Sequence, residues 1–318
     1  MTTRPKVAFV YNKRDEQQGL LATAHRNPNT RAFFMSALPL EKRIDYTPLA
    51  CGPDWDVNEL RAYDAVILRN MVPTKHWGTK GPSFAGMGDI KIPKLLKQAD
   101  LHDITRSDWA ENCREFGVNV VFSWSTKSTF RQCMGDEFRF EHIVHGIDPA
   151  AFDIPPPQPR VKDQVLLAGV AGRSLRPEVF KRYYAVRAAC GEVPGVIWSN
   201  PTAHAGHMFP PLLRHFQAGI AACSGCVVAK YYEMAAAGMM TFMEATPENA
   251  VDELGFVDGK NCRFINADNY AERIAEYLET ADDPEWAGIA ERGQRFVLDN
   301  YSMHVQAKKL VDIILELI

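Results

Sequence analysis

Pro155-Pro-Pro-Gln-Pro159 interrupts a strand-and-helix alternation that otherwise runs the length of the chain. Proline fixes φ and has no N–H to donate, so neither a helix nor a central strand forms across this run; it reads as a stiff, extended linker. Before it, Lys6–Asn12 (KVAFVYN) and Ala65–Arg69 (AVILR) are apolar runs of strand length, joined by Arg43–Pro48, Val118–Trp124 and Phe140–Val144. Helical patterns fall around Thr30–Leu38, Asn58–Ala62, Trp109–Phe116 and Ser128–Met134. After the prolines the alternation restarts, with strands at Gln164–Val170, Gly195–Trp198 and Cys262–Ile265 and a long helix predicted over Arg176–Cys190. Pro211–Gln217, Thr246–Glu253, Asn269–Glu279, Glu285–Asn300 and Val305–Ile318 complete the helices. Such alternation predicts parallel sheets covered by helices on both faces. The expected division is 1–154, 155–301, and a last helix, 302–318, packing back on the first domain.

With 318 residues and 46% hydrophobic content, the chain is long enough for two cores of ordinary size. A formal net charge of −3 gives no global positive field for nucleic acid. No run of about 18 apolar residues predicts a membrane span. The seven cysteines are odd in number and scattered, and no secretory leader precedes Lys6, so a reduced, cytoplasmic setting is expected. Cys223-Ser-Gly-Cys226 matches C-x-x-C, but no second half of a zinc site accompanies it, and small buried thiols at a turn fit as well.

Ile220–Glu244 (IAACSGCVVAKYYEMAAAGMMTFME) carries the most chemistry. It reads as a buried strand, a Ser224-Gly225 turn at a helix N-cap, a helix from about Cys226, a stop at Gly238 and a second buried strand. A helix start offers backbone N–H groups and a positive dipole end, which suit a diphosphate. Lys230 and Glu233 share one ridge of that helix, so the diphosphate could lie at the turn near Lys230 and ribose hydroxyls on Glu233. The same pair also fits a plain solvated ion pair. Ligands in doubly wound sheets bind at the carboxyl ends of the strands. The polar residues there are Lys13, Arg14, Arg69, Asn70, Trp124, Ser125, Arg173, Ser199 and Ser224-Gly225, to which the cluster Asp100, His102, Asp103 is added; each also fits a cap or a solvated side chain.

Several of these segments resemble GT-B glycosyltransferases, near the retaining family 4 type and its CgeB-like (spore-maturation) branch. Lys230–Glu244 is similar to a K-x-x-E-x-x-A-x-G segment, and Ala290–Tyr301 to an A-x-x-G-x-x-x-V-x-x-x-Y tail. His145-Gly-Ile-Asp-Pro-Ala-Ala-Phe152 resembles the N-G-V-D-x-x-x-F turn between lobes, and the stretch from Pro93 to His102 resembles P-K-x-x-x-x-x-D-x-H. The resemblance implies two Rossmann-like domains facing across a cleft and transfer of a sugar from a nucleotide donor, UDP-sugar favoured, to an acceptor hydroxyl. It places Ser224, Gly225, Cys226, Lys230, Glu233, Arg173 and Ser199 on the donor, with Lys230 and Arg173 neutralising the leaving diphosphate without a metal or cofactor. Lys13, Arg14, Arg69, Asn70 and Trp124 fall on the acceptor side. Asp100, His102 or Asp103 would orient or deprotonate the acceptor, His102 first because imidazole titrates near neutrality. The acceptor would be a glycan or a small molecule or, in an alternative reading, a modified base in phage-type DNA.

Gly225 stands where family 4 enzymes commonly carry the first glutamate of E-x7-E, which leaves room for a degenerate protein that binds nucleotide or glycan without turnover. Lys75, Lys80, Lys91, Lys94 and Lys97 give a basic bias beside Trp77 and Phe84, the feature that bears on a DNA acceptor. Gly78–Gly88 reads as a lid or a long connection.

Overall fold

The computed structural model describes residues 3–12, 33–69, 84–98, 107–144, 147–153, 159–169, 177–199 and 209–318. The chain divides into two compact units, residues 1–146 with 303–318, and residues 147–302.

The strands of the first unit are β1 (Lys6–Asn12), β2 (Asp45–Cys51), β3 (Ala65–Arg69), β4 (Lys94–Lys97), β5 (Val120–Ser123) and β6 (Arg139–His142). They form one parallel sheet in the order β2-β1-β3-β4-β5-β6. β1 is buried and apolar over Val7–Tyr11 and β3 over Ala65–Leu68, because a central parallel strand is buried on both faces. On one face Phe9 stacks on Phe34 with ring centroids 4.3 Å apart. The C-terminal helix Met303–Leu317 adds Leu310, Val311 and Ile314 to that same core. Gln306 of this helix accepts a hydrogen bond from the Val144 amide at 2.9 Å, tying the end of the chain to the segment after β6.

The second unit holds β7 (Val161–Ala168), β8 (Val196–Ser199), β9 (Phe216–Ala221), β10 (Met240–Glu244) and β11 (Arg263–Ile265). All pair in parallel in the order β11-β10-β9-β7-β8. Counted from β7, this is the 2-1-3-4-5 order of a doubly wound sheet, and its switch point lies between β7 and β9. Val165, Leu167, Ile220 and Phe242 meet Ile274 and Tyr277 of the helix Tyr270–Glu279 in the core.

Several elements differ from expectation; the helix predicted over Pro211–Gln217 ends at His215, and Phe216 opens β9. The long helix over Arg176–Cys190 is broken into Pro177–Tyr183 and Ala185–Cys190, with Tyr184 at φ −132°. At the break the Tyr183 carbonyl accepts from the Ser224 amide at 3.1 Å, a long-range bond in place of a helical one. Thr246–Glu253 is a turn followed by a 3-10 segment, Val251–Leu254. There the Asn249 side chain donates to the Cys223 and Glu244 carbonyls at 3.1 and 2.7 Å, competing with helix formation. Lys94 and Lys97 belong to central strand β4 and are buried, so they present no basic surface. Lys94 Nζ is satisfied by the carbonyls of Ile90 and Ile92.

Candidate functional site

The switch point of the second unit gathers charged and polar groups from four elements. β7 runs into Gly169, whose φ of +139° favours glycine. A Cβ there would come within 3.1 Å of an Arg187 guanidinium nitrogen and 3.3 Å of the Lys230 Cε. The two basic side chains therefore converge beside the end of β7. Arg187, on the helix Ala185–Cys190, is 5% exposed. Its Nε donates to the Ala222 carbonyl just past β9 at 2.7 Å, and its guanidinium lies 4.5 Å over the Tyr184 ring. Lys230 Nζ lies 5.6 Å over the Phe209 ring. Trp198, from β8, donates through its indole N–H to the Gly169 carbonyl at 2.9 Å. Ser199 ends β8 in register with Ala168, so it shares this edge of the sheet.

The Ser224-Gly225 turn follows β9, but the helix behind it starts later than expected, at Ala229, with Val228 as its cap residue. Cys226 thus lies in the turn, where its sulfur is 3.5 Å from that of Cys223. Ser224 is held on three sides: its amide by Tyr183, its carbonyl by the Thr246 hydroxyl at 2.6 Å, and its own hydroxyl by Glu244 Oε1 at 2.6 Å. The Tyr183 ring closes the space over Gly225, where a Cβ would meet it at 2.4 Å. That contact excludes a glutamate at the position without rearrangement of Tyr183. Glu233 lies on the helix Ala229–Ala236, 8% exposed and one turn from Lys230.

Glu244, at the carboxyl end of β10, was not among the residues singled out from sequence. It is fully buried, its Oε2 has no hydrogen-bond partner among the described residues, and burial pushes its carboxyl up to about 7 against the opposing pull of Ser224 and Arg187. Tyr231 links the same layers, accepting from the Cys223 amide at 3.2 Å and donating to the Glu244 carbonyl at 2.9 Å.

In the first unit, Arg69 ends β3 in register with Lys97, and Lys97 Nζ lies 5.4 Å over the Trp124 ring just beyond β5. Arg69 and Trp124 are thus brought to one end of that sheet, with Lys97 as the addition sequence reading placed elsewhere. Lys13, Arg14, Asn70, Asp100, His102, Asp103 and Arg173 lie outside the described residues, as does most of the Gly78–Gly88 segment. Among the described residues no group of three or more His, Cys, Asp or Glu side chains could hold a metal ion, and no helix is long and apolar enough to cross a membrane.

Two parallel-sheet α/β domains of this design match the structures of GT-B glycosyltransferases, and the fold is of that class. Residues 191–312, which include the Ser224 turn and the helix bearing Lys230, match a family model described as glycosyl transferase-like. Among solved structures, a glycosyltransferase from Rickettsia africae superposes with a TM-score of 0.60 at 11% identity, over 99% of each chain. Anabaena Alr3699/HepE in complex with UDP-glucose gives 0.59 at 12% identity, over 99% of this chain and 100% of that one. Sucrose-phosphate synthase from Thermosynechococcus elongatus gives 0.55 at 12% identity, over 99% of each. No curated protein matches the chain significantly.

Proposed function

We propose that this protein is a glycosyltransferase that moves a sugar from a nucleoside diphosphate donor, a UDP-sugar in the first instance, to an acceptor hydroxyl. The observation that carries the reading is the convergence of Arg187 and Lys230 beside Gly169, at a doubly wound switch point within a fold shared with a protein solved with UDP-glucose. In this reading the diphosphate lies against those two side chains and the start of the helix at Ala229, and Glu233 takes the ribose hydroxyls. Negative charge that develops on the departing diphosphate is stabilised by cations fixed in place before reaction, which is where transfer of this kind gains most of its rate. Ser224 acts through shape, held by Tyr183, Thr246 and Glu244, with its own amide already engaged. Arg173 is assigned to the same diphosphate, and His102, Asp100 or Asp103 to the acceptor hydroxyl.

Retention at the anomeric carbon, independence of a divalent metal, a place in the CgeB-like branch and a cytoplasmic location belong to the same proposal. A second reading, donor binding without turnover, draws on Gly225, whose surroundings leave no space for a turn carboxylate. A screen of UDP, GDP, dTDP and CMP sugars for donor hydrolysis and transfer separates the two. Hydrolysis or transfer of any donor, lowered on the order of 100-fold by Lys230→Met, is expected for the enzyme. Saturable donor binding with no turnover of any sugar would overturn it in favour of the second reading.

A further inference from the structure

At the amino-terminal ends of β7, β9 and β10, the opposite end of the strands from the Ser224 turn, lies a cavity of about 340 Å³. That volume falls within the range of small-molecule sites, roughly 300–1,000 Å³. Its polar wall is made by Arg160, Arg214 and Tyr277, its apolar wall by Trp286, Met240 and Ala287. Arg160 is clamped by its terminal nitrogens to the carbonyls of Gly238, at 2.8 Å, and Phe216. Arg214 donates to the Phe152 carbonyl. These bonds fix the guanidiniums through carbonyl oxygens, which carry no formal charge.

Among the described residues no carboxylate pairs with either guanidinium. Glu291, the acid on the wall, is taken by Arg295 at 2.6 Å. Asp153 and Asp163 act from the exposed side, the first on Arg214 and the second on Tyr277. The Nε of Arg160, the Nε of Arg214 and the Tyr277 hydroxyl are buried without a hydrogen-bond partner among the described residues. Burial, and next the neighbouring charge of Arg214, lower Arg160 to about 10. Two guanidiniums without a paired carboxylate among the described residues line one cavity, and such groups are stabilised by an oxyanion, the ligand that they bind best. The aromatic and aliphatic wall sets the rest of the ligand.

We propose that this cavity binds a compact organic oxyanion, a phosphate monoester or carboxylate on a flat apolar ring, with its head toward Arg160 and Arg214 and its ring against Trp286. The site is built entirely within the second unit and does not depend on the transferase reading. The test is calorimetric titration of the intact chain with phenyl phosphate, with benzoate and inorganic phosphate as separate arms. Saturable binding of phenyl phosphate or benzoate is expected, with the tighter of the two identifying the head group, and inorganic phosphate weaker by about tenfold or more. Ala287→Phe, which fills the cavity from an exposed helix position, and Arg214→Gln should each weaken binding by about tenfold or more, while Lys230→Met leaves it unchanged. A melting temperature for Ala287→Phe equal to that of the parent protein separates loss of the cavity from loss of the fold. No saturable binding of either aryl anion, or affinity untouched by Ala287→Phe and Arg214→Gln, would overturn the proposal; so would weakening by Lys230→Met alone.

Discussion

The Ser224 hydroxyl donates to Glu244 Oε1 at 2.6 Å, which joins the turn after β9 to the last residue of β10. This bond satisfies one oxygen of a carboxyl that is otherwise shut away from water, and the other oxygen has no partner among the described residues. Because burial raises the folded-state pKa of Glu244 from 4.5 to about 7, the folded protein holds this proton where the unfolded chain releases it. The contribution is present below the unfolded value and lost as pH rises through the folded one. The native chain should therefore lose on the order of 3 kcal/mol from this group between about pH 4.5 and 7, at about 1.4 kcal/mol per pH unit. Glu244→Gln removes the titration. Urea unfolding at pH 5 and pH 8 should show Glu244→Gln gaining on the parent protein as pH rises; a constant difference would contradict the assignment.

Gly225 has no side chain because the Tyr183 ring occupies the place. Gly225→Ala should cost about 1–3 kcal/mol, the usual range for overfilling a packed site. In a Tyr183→Leu background the cost should fall by about 1 kcal/mol or more, since residues in contact do not contribute additively. Equal costs in both backgrounds, read from denaturant midpoints, would show that the ring is not what excludes the side chain.

The helix Pro284–Tyr301 is held by close backbone approach. A Cβ on Gly293 would come 2.5 Å from the Asn261 carbonyl oxygen, and the Tyr301 hydroxyl donates to the Leu254 carbonyl at 2.6 Å. Gly293→Ala should destabilise by about 1–3 kcal/mol through this clash with backbone. Tyr301→Phe should cost about 1 kcal/mol for the lost buried hydrogen bond. Neither change should alter affinity for UDP, as measured by calorimetry on the folded variants. A large loss of UDP affinity in Tyr301→Phe would mean that this face reaches the ligand.

The parallel sheets were legible because a strand buried on both faces must be apolar along its buried length, as Ala65–Leu68 in β3 and Ala218–Ala221 in β9 are. The tail Ala290, Gly293, Val297, Tyr301 was legible as a resemblance, and its spacing turns out to place Gly293, Val297 and Tyr301 on one buried helical ridge. Arg187 was not legible: its position depends on a helix break at Tyr184 and on a carbonyl 35 residues further along the chain. Glu244 closes an apolar strand and looks like an ordinary polar end; only the fold places it beneath Ser224. Lys94 and Lys97 misled for a related reason. Composition counts a lysine as surface charge, whereas a long side chain in a central strand can fold back onto carbonyls, as Lys94 does. The helix start was misjudged by three residues because Ser224 spends its hydroxyl on Glu244 instead of capping.

The most direct test of a diphosphate site between Arg187 and Lys230 is calorimetric titration of UDP into the parent protein and into Lys230→Met. Such a site requires saturable binding to the parent protein, weakened by about tenfold or more in the variant at unchanged melting temperature. Equal UDP affinity in the two proteins would contradict it.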